Sequence, residues 1–281
     1  MIEPPKDLGD QVAAALLEDI RGGDVTARLV PEAQQARGRV ITREDAVMCG
    51  RPWVDEAFRR LDSGIRIDWH ARDGDSLRAN QVIFDISGHA RPVLTGERTA
   101  LNFLQLLSGT ATHTRQYVAA VAGTAATILD TRKTLPGLRT AQKYAVLCGG
   151  ARNHRMGLFD MVLIKENHIA AAGSIAAAIA AAQRASPGLK IEVEVESLDG
   201  LEEALAGAPD IVLLDNFNNT DMARAVAFTR ARSASVKLEA SGNVSLETVR
   251  AIAATGVDYI SVGSLTKHVH AIDLSMRFEF T

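Results

Sequence analysis

The stretch "IEVEVESLDGLEEALAGAPDIVLLD", residues 191–215, decides the fold. An alternating run over 191–196 reads as a strand, 198–207 as a helix stopped near Gly207, and 210–215 as a second, apolar strand. A strand, a helix and a strand at this spacing form a right-handed βα unit of a parallel sheet. The pattern extends both ways. Strand-like runs fall at 125–130, 161–165, 236–241 and 258–263, and helical segments at 174–186, 220–231 and 245–256. Thr220 or Asp221, and Ser245 with Thr248 nearby, stand where N-caps belong, and Gly256 where a helix ends. About six such units fall short of the eight of a full barrel. The expected fold is therefore a parallel α/β barrel, open or irregular in its closure.

The first half differs. Residues 10–20 and 44–61 read as amphipathic helices, and 38–43, 65–71 and 82–88 as short strands between Gly/Asp/Asn turns. Residues 97–122 read as one or two helices leading into the barrel. This predicts a separate α+β domain over 1–108 and a barrel domain over 109–267.

Composition narrows the function. The 281 residues are 47% apolar and 23% charged, with a net charge of -3, so no global field attracts nucleic acid or an anionic membrane. No apolar run reaches the ~20 residues that span a bilayer, and the polar start "MIEPPKDLGDQ" is not a signal peptide. Cys49 and Cys148 are read as two reduced thiols of a cytoplasmic protein. Charge is nonetheless concentrated. Between Asp130 and Ile169 seven Lys/Arg meet three acids, a window of +4 in a chain whose remainder is -7. That suggests a local anion site; a solvated helix face fits Lys143 and fits Arg132 and Lys133, which abut an apolar strand, poorly.

Functional groups of βα barrels collect where strands end. Here the ends deliver Arg132 and Lys133, Lys165 and Glu166, Glu194 and Glu196, Asp215 and Asn216, Ser241 and Gly242, and Val262 and Gly263. Alternation also turns Glu192, Glu194 and Glu196 toward the barrel interior, with Lys237 and Glu239 in the same phase. Interior carboxylates need partners, so Lys237 is expected to pair with Glu192 or Glu239. Glu194 and Asp215, high on adjacent strands, suit Mg²⁺; which Glu of 192, 194 and 196 meets the metal stays open. "SGN" (241–243) and "SVGS" (261–264) are small-residue turns able to hold phosphate on backbone N–H groups. The ligand expected is a carboxylate compound beside a metal-bound phosphorylated sugar.

The segments "ERTALNFLQLLSGTAT", "DTRKTLPGLRTAQKYAVLCGGARNHRMGLFDMVLIKENHI", "EVEVESL", "LLDNF", "LEASGNVS" and "ISVGSLTKHVHAIDLSMRF" resemble the quinolinate phosphoribosyltransferases over about residues 10–280. The resemblance implies transfer of phosphoribose from phosphoribosyl pyrophosphate to quinolinate with decarboxylation. The products are nicotinate mononucleotide, pyrophosphate and CO₂, and the reaction uses Mg²⁺ in de novo NAD synthesis. It places quinolinate against Arg132, His154, Arg155 and Lys165, with Arg98 reaching in from a partner subunit. It sets Lys133 between quinolinate and pyrophosphate, and gives Glu194 and Asp215 the ribose hydroxyls and Mg²⁺. Ser241, Gly242 and Gly263 match its 5-phosphate loop, and Lys267 stands where some members have His. It further implies an N-terminal α/β sandwich rejoined by 268–281, an open barrel of about seven strands, and a homodimer with shared active sites that can assemble further. Arg139 either caps the site or lies at the interface, and His168 either serves the site or is structural.

Three rivals have distinct marks. A phosphoribosyltransferase for another carboxylate, such as nicotinate, needs fewer cations. A lyase using Lys165 as a Schiff base needs an apolar lysine pocket. A non-catalytic binding paralogue would bind without turnover.

Overall fold

The structure, a computed structural model, describes residues 2–280. In chain order the elements are α1 (Leu8–Ile20), β1 (Gln35–Thr42), β2 (Ala46–Val47), α2 (Arg51–Leu61), β3 (Arg66–Trp69), β4 (Ser76–Leu77), β5 (Val82–His89) and α3 (Ala90–Ala120). There follow β6 (Thr127–Leu129), α4 (Arg139–Cys148), β7 (Val162–Ile164), α5 (Glu166–Ala172), α6 (Ile175–Ala185), β8 (Ile191–Val195) and α7 (Leu198–Ala206). The chain closes with β9 (Ile211–Asp215), α8 (Asn219–Arg232), β10 (Lys237–Ser241), α9 (Val249–Ala253), β11 (Tyr259–Ser261), α10 (Ser264–Lys267) and β12 (Leu274–Phe280). Two compact units result: one of Met1–Arg115, Thr134–Gly150 and Leu265–Thr281, the other of Gln116–Lys133 and Ala151–Ser264.

The first unit is an α/β sandwich on a four-stranded sheet, order β12-β1-β5-β3. Alternation along β1 buries Ala36, Val40 and Thr42 and exposes Arg37 and Arg39, so only one face carries the core. That core joins Val12 of α1, Trp53 and Phe58 of α2, Phe84 of β5 and Leu104 of α3. Each fully buried side chain of this size is worth roughly 1.5–3 kcal/mol over its exposed state. The last strand, β12, pairs antiparallel with β1 from Ala36↔Phe280 to Thr42↔Leu274, bringing the C-terminal residues into this unit. Its approach needs a glycine: a Cβ on Gly109 of α3 would overlap the His270 carbonyl.

The predicted helix over 44–61 is shorter. Residues Ala46–Val47 pair with Ser76–Leu77 instead, and the helix starts at Arg51 after Gly50, whose φ of 120° breaks any helix running through it. Helix α4 was absent from the residue-pattern reading, and its Lys143, read as part of a solvated face, is fully buried.

The second unit is a parallel α/β barrel. Six strands hydrogen-bond in the order β6-β11-β10-β9-β8-β7. Beyond β6 a rudimentary seventh position follows: Arg152 bridges Leu129 in parallel, its N–H donating to the Ile128 carbonyl at 3.0 Å. The barrel is thus open and irregular. Ile191, Val193 and Val195 of β8 are buried, with Ile179 of α6 and Leu201 of α7 fully so. Ser174, Ser197 and Asn218 cap α6, α7 and α8 by accepting from Ala177, Gly200 and Asp221 N–H groups at 3.1, 3.1 and 2.9 Å. Asn218 takes the cap expected of Thr220 or Asp221, because the helix begins a residue earlier.

Candidate active site

Within the barrel unit, each polar residue expected at a strand end follows its strand: Arg132 and Lys133 after β6, Lys165 after β7, Glu194 in β8, Asp215 closing β9, Ser241 closing β10, and Gly263 after β11. Parallel strands bring these ends to one rim.

One side of the rim is cationic. Arg132 Nε is buried and has no protein hydrogen-bond partner. A guanidinium donor left dry and unpaired costs free energy unless a ligand accepts from it. Arg155 is half-buried; burial first, and then the Arg132 charge, holds its guanidinium below the usual range. Arg155 Nη1 donates to the Met161 carbonyl at 3.2 Å. Lys133 is exposed, and its backbone N–H donates to Thr131 Oγ1 at 3.0 Å.

The other side is acidic. Lys165 Nζ lies 2.6 Å from Glu194 Oε2, joining the two sides. Burial first, then the Glu194 charge, pushes the Asp215 carboxyl above the usual carboxylate range, with Lys165 opposing. Asn216 Nδ2 donates to Asp215 Oδ2 at 2.8 Å. Mutually strained carboxylates with oxygen donors only are a fit for a hard divalent cation. Glu196 is exposed just beyond β8.

The third part is a glycine cradle. Gly242 has φ of 100°, a left-handed conformation, and a Cβ there would collide with the Asn216 amide. A Cβ on Gly263 would stand 3.2 Å from Lys133 Cδ. At Gly242 only glycine fits, and such a turn can hold a ligand against backbone N–H groups, whereas at Gly263 only the flexible Lys133 stem would have to give.

Below the rim the expected interior network is corrected. Lys237 pairs with neither Glu192 nor Glu239; its Nζ meets Asp258 Oδ1 at 3.0 Å, with 45% of the side chain exposed. Lys237 opens β10 and so lies at the barrel's lower end, where a long stem reaches water. Glu192 and Glu239 are fully buried, and the cation-capable group between them is His154: Nε2 lies 2.9 Å from Glu192 Oε2 and 3.6 Å from Glu239 Oε1. Burial, and next the Glu192 charge, drives the Glu239 carboxyl well up. Buried Asp130, which the sequence reading passed over as a site residue, holds the same segment; it accepts from Asn153 Nδ2 at 2.5 Å and from the His154 N–H at 2.9 Å. Its signal in the sequence is an acid closing the apolar run "ATIL".

His168 is structural in part: Nδ1 accepts the Lys165 N–H at 3.0 Å at the start of α5. Three expected residues lie in the first unit. Arg98 is exposed on α3 and lines a groove of about 460 Å³ with Gln11, Phe103, Leu106 and Pro136. Arg139 begins α4, its Nε donating to Thr134 Oγ1 at 3.2 Å, which braces the Pro-Gly turn. Lys267 is exposed at the end of α10. The first unit also holds a cavity of about 850 Å³ on the open sheet face among Arg37, Arg66 and Arg277; it contains none of the strand-end residues. There too Cys49 and Cys148, distant in sequence, are free and buried beside Asp73. Among the described residues no helix is long and apolar enough to cross a membrane.

Comparison with known proteins agrees along the whole chain. Residues 24–108 match the quinolinate phosphoribosyl transferase N-terminal domain, and residues 110–277 its C-terminal domain. A carboxylating nicotinate-nucleotide pyrophosphorylase of Mycobacterium leprae is 45% identical over 274 residues, 95% of each chain. A probable one of Bacillus subtilis is 42% identical over 92% of this chain and 89% of its own. The solved nicotinate-nucleotide pyrophosphorylase of Francisella tularensis superposes with a TM-score of 0.95 at 47% identity, covering 99% of this chain and 98% of that one. This chain belongs to the quinolinate phosphoribosyltransferase family.

Proposed function

We propose that this protein transfers phosphoribose from phosphoribosyl pyrophosphate to quinolinate and releases CO₂, forming nicotinate mononucleotide and pyrophosphate for NAD synthesis. The observation that carries the reading is the buried, unpartnered Nε of Arg132 beside half-buried Arg155. Two guanidinium groups and Lys165 suit a planar dicarboxylate, which accepts paired N–H donors.

The residues divide the work. Arg132, Arg155 and Lys165 orient quinolinate with its ring nitrogen toward the ribose. Ser241 and the Gly242 and Gly263 turns take the 5-phosphate, and Lys133 meets the pyrophosphate, with Lys267 as a further phosphate contact. Glu194 and Asp215 face the ribose, where their charge stabilises the positive character that C1 gains as pyrophosphate leaves. Glu194 and Asp215 would also hold Mg²⁺, which supplies charge neutralisation to the departing pyrophosphate. The pyridine nitrogen bonds to C1 and becomes cationic. The C–C bond to the adjacent carboxylate then breaks; CO₂ departs, its electron pair stays on the ring carbon, and a proton from solvent takes it up. Catalysis is positioning and electrostatics, without a covalent enzyme intermediate.

The functional unit is a cytoplasmic homodimer, with Arg98 supplied to each site by the partner subunit. Its support is the exposure of Arg98 on α3 beside a groove that Phe103 and Leu106 also line. Mixing two inactive variants, Arg98→Ala and Arg132→Ala, tests it: subunit exchange restores activity to about a quarter of the sites in a shared-site dimer, and to none if each site is built from one chain. The reaction itself is tested by Arg132→Ala, which folds normally and loses quinolinate binding; a wild-type KM for quinolinate would overturn the assignment.

A further inference from the structure

Three left-handed residues meet where β9 and β10 end: Asn216 at φ 56°, Gly242 at 100° and Asn243 at 48°. Glycine takes such a backbone freely, and asparagine tolerates it. At Asn216 the main chain is pinned first. Its N–H donates to the Ser241 carbonyl at 3.0 Å, which carries the pairing of β9 with β10 one step past Asp215↔Ser241.

The Asn216 side chain then meets two neighbours at once. Nδ2 donates to Asp215 Oδ2 at 2.8 Å. An ionised carboxylate only accepts, so the amide has to turn its nitrogen this way. Oδ1 is left beneath Gly242, where a Cβ would collide with it, and Asn243 Nδ2 lies 3.5 Å from it. Among the described residues no donor reaches the other Asp215 oxygen, Oδ1.

We propose that Asn216 is a positioning residue: its amide, held beneath Gly242, fixes Asp215 by Oδ2 and so presents Oδ1 to the ligand. The inference rests on the reading of Asp215 as a contact to the ribose and Mg²⁺ of phosphoribosyl pyrophosphate. It adds that the acidic side and the glycine turn are one device. A side chain at 242 would push the amide off Asp215, so a change in the phosphate turn reaches the carboxylate as well. The competing role is one of backbone alone, with asparagine kept for its φ. Glycine at 216 meets that demand and lacks the amide, so Asn216→Gly separates the two roles.

The experiment is titration calorimetry of phosphoribosyl pyrophosphate with Mg²⁺ and no quinolinate, with circular dichroism to show an intact fold. Asn216→Gly should bind ~10-fold more weakly, as for loss of a hydrogen bond that orients a metal-binding carboxylate. In an Asp215→Ala background the same change should cost less than about threefold, because nothing is left to orient. Asn216→Asp, which keeps the shape and loses the donor, should bind at least as weakly as Asn216→Gly. Wild-type affinity in Asn216→Gly would leave only the backbone role and overturn the proposal. Equal losses with and without Asp215 would overturn it too, since the amide would then act on the ligand itself. NMR of the side-chain amides reads the tie without any ligand. The two Asn216 Nδ2 protons, identified by their loss in Asn216→Gly, should resonate far apart in the wild type and draw together in Asp215→Ala. Protons already close together in the wild type would overturn the tie. If the wild type binds no phosphoribosyl pyrophosphate, the functional reading fails while the amide signals still decide the tie.

Discussion

Two glutamates of β8, Glu192 and Glu194, differ by one turn of the pleat and have different fates. Glu194 stands at the rim, 10% exposed, with Lys165 Nζ 2.6 Å away. Glu192, on the same face one layer down, is fully buried against His154 and Glu239. Both are inward carboxylates of one strand. What separates them is depth: the upper one keeps access to a ligand, and the lower one answers only to protein. The barrel interior thus has a working layer and a supporting layer.

The contrast can be broken by substitution, and the working layer should suffer most. Asp215→Asn or Glu194→Gln removes charge where positive character develops, and kcat should fall by roughly 10²–10³-fold, as for loss of one electrostatic stabiliser. A steady-state assay with saturating substrates reads this; a change under threefold would move the acidic side out of the chemistry. Arg132→Ala should cost about 2–4 kcal/mol of quinolinate binding, since it leaves a ligand carboxylate without its dry partner. Titration calorimetry, with circular dichroism to show an intact fold, checks it.

Gly242→Ala comes next. The left-handed φ costs about 1–2 kcal/mol for an L-residue, and the added Cβ also meets Asn216. The expected outcome is a raised KM for phosphoribosyl pyrophosphate together with a lower Tm.

The supporting layer should show itself in stability instead. Glu239 is raised above 4.5 by burial and by Glu192, with Asp130 adding and Ser261 opposing. The folded protein therefore holds a proton that the unfolded chain releases above its ordinary pKa. Stability from this group is full below pH 4.5 and declines as pH rises toward the folded pKa. Glu239→Gln removes that decline. Denaturant melts of both proteins should nearly coincide near pH 5, and the variant should gain on wild type toward pH 8. Parallel pH curves would contradict a protonated buried acid. Lys237→Ala should do least: it removes a half-exposed pair with Asp258, worth about 0–1 kcal/mol, with unchanged kinetics.

The same contrast marks what the sequence could tell. The βα alternation over 191–215 was readable because apolar period and turn residues repeat, and the strand ends were readable because parallel topology sends them to one rim. Period-2 alternation also put Glu192, Glu239 and Lys237 on the inner face. It carries no depth, so it paired Lys237 with the wrong carboxylates; the partner, Asp258, lies with Lys237 at the open lower end. His154 sits in "ARNHR", a stretch without periodicity whose place as a seventh barrel position comes from one bridge to β6. Lys143 was misread because a charged residue on a polar-looking helix is usually solvated, and only tertiary packing buries it.

Product stoichiometry tests the proposed reaction. Purified protein with Mg²⁺ and phosphoribosyl pyrophosphate would be given quinolinate or nicotinate, and CO₂ and pyrophosphate followed together. Equal release of both from quinolinate and neither from nicotinate is expected. Pyrophosphate without CO₂, or turnover of nicotinate, would contradict the dicarboxylate role assigned to Arg132, Arg155 and Lys165.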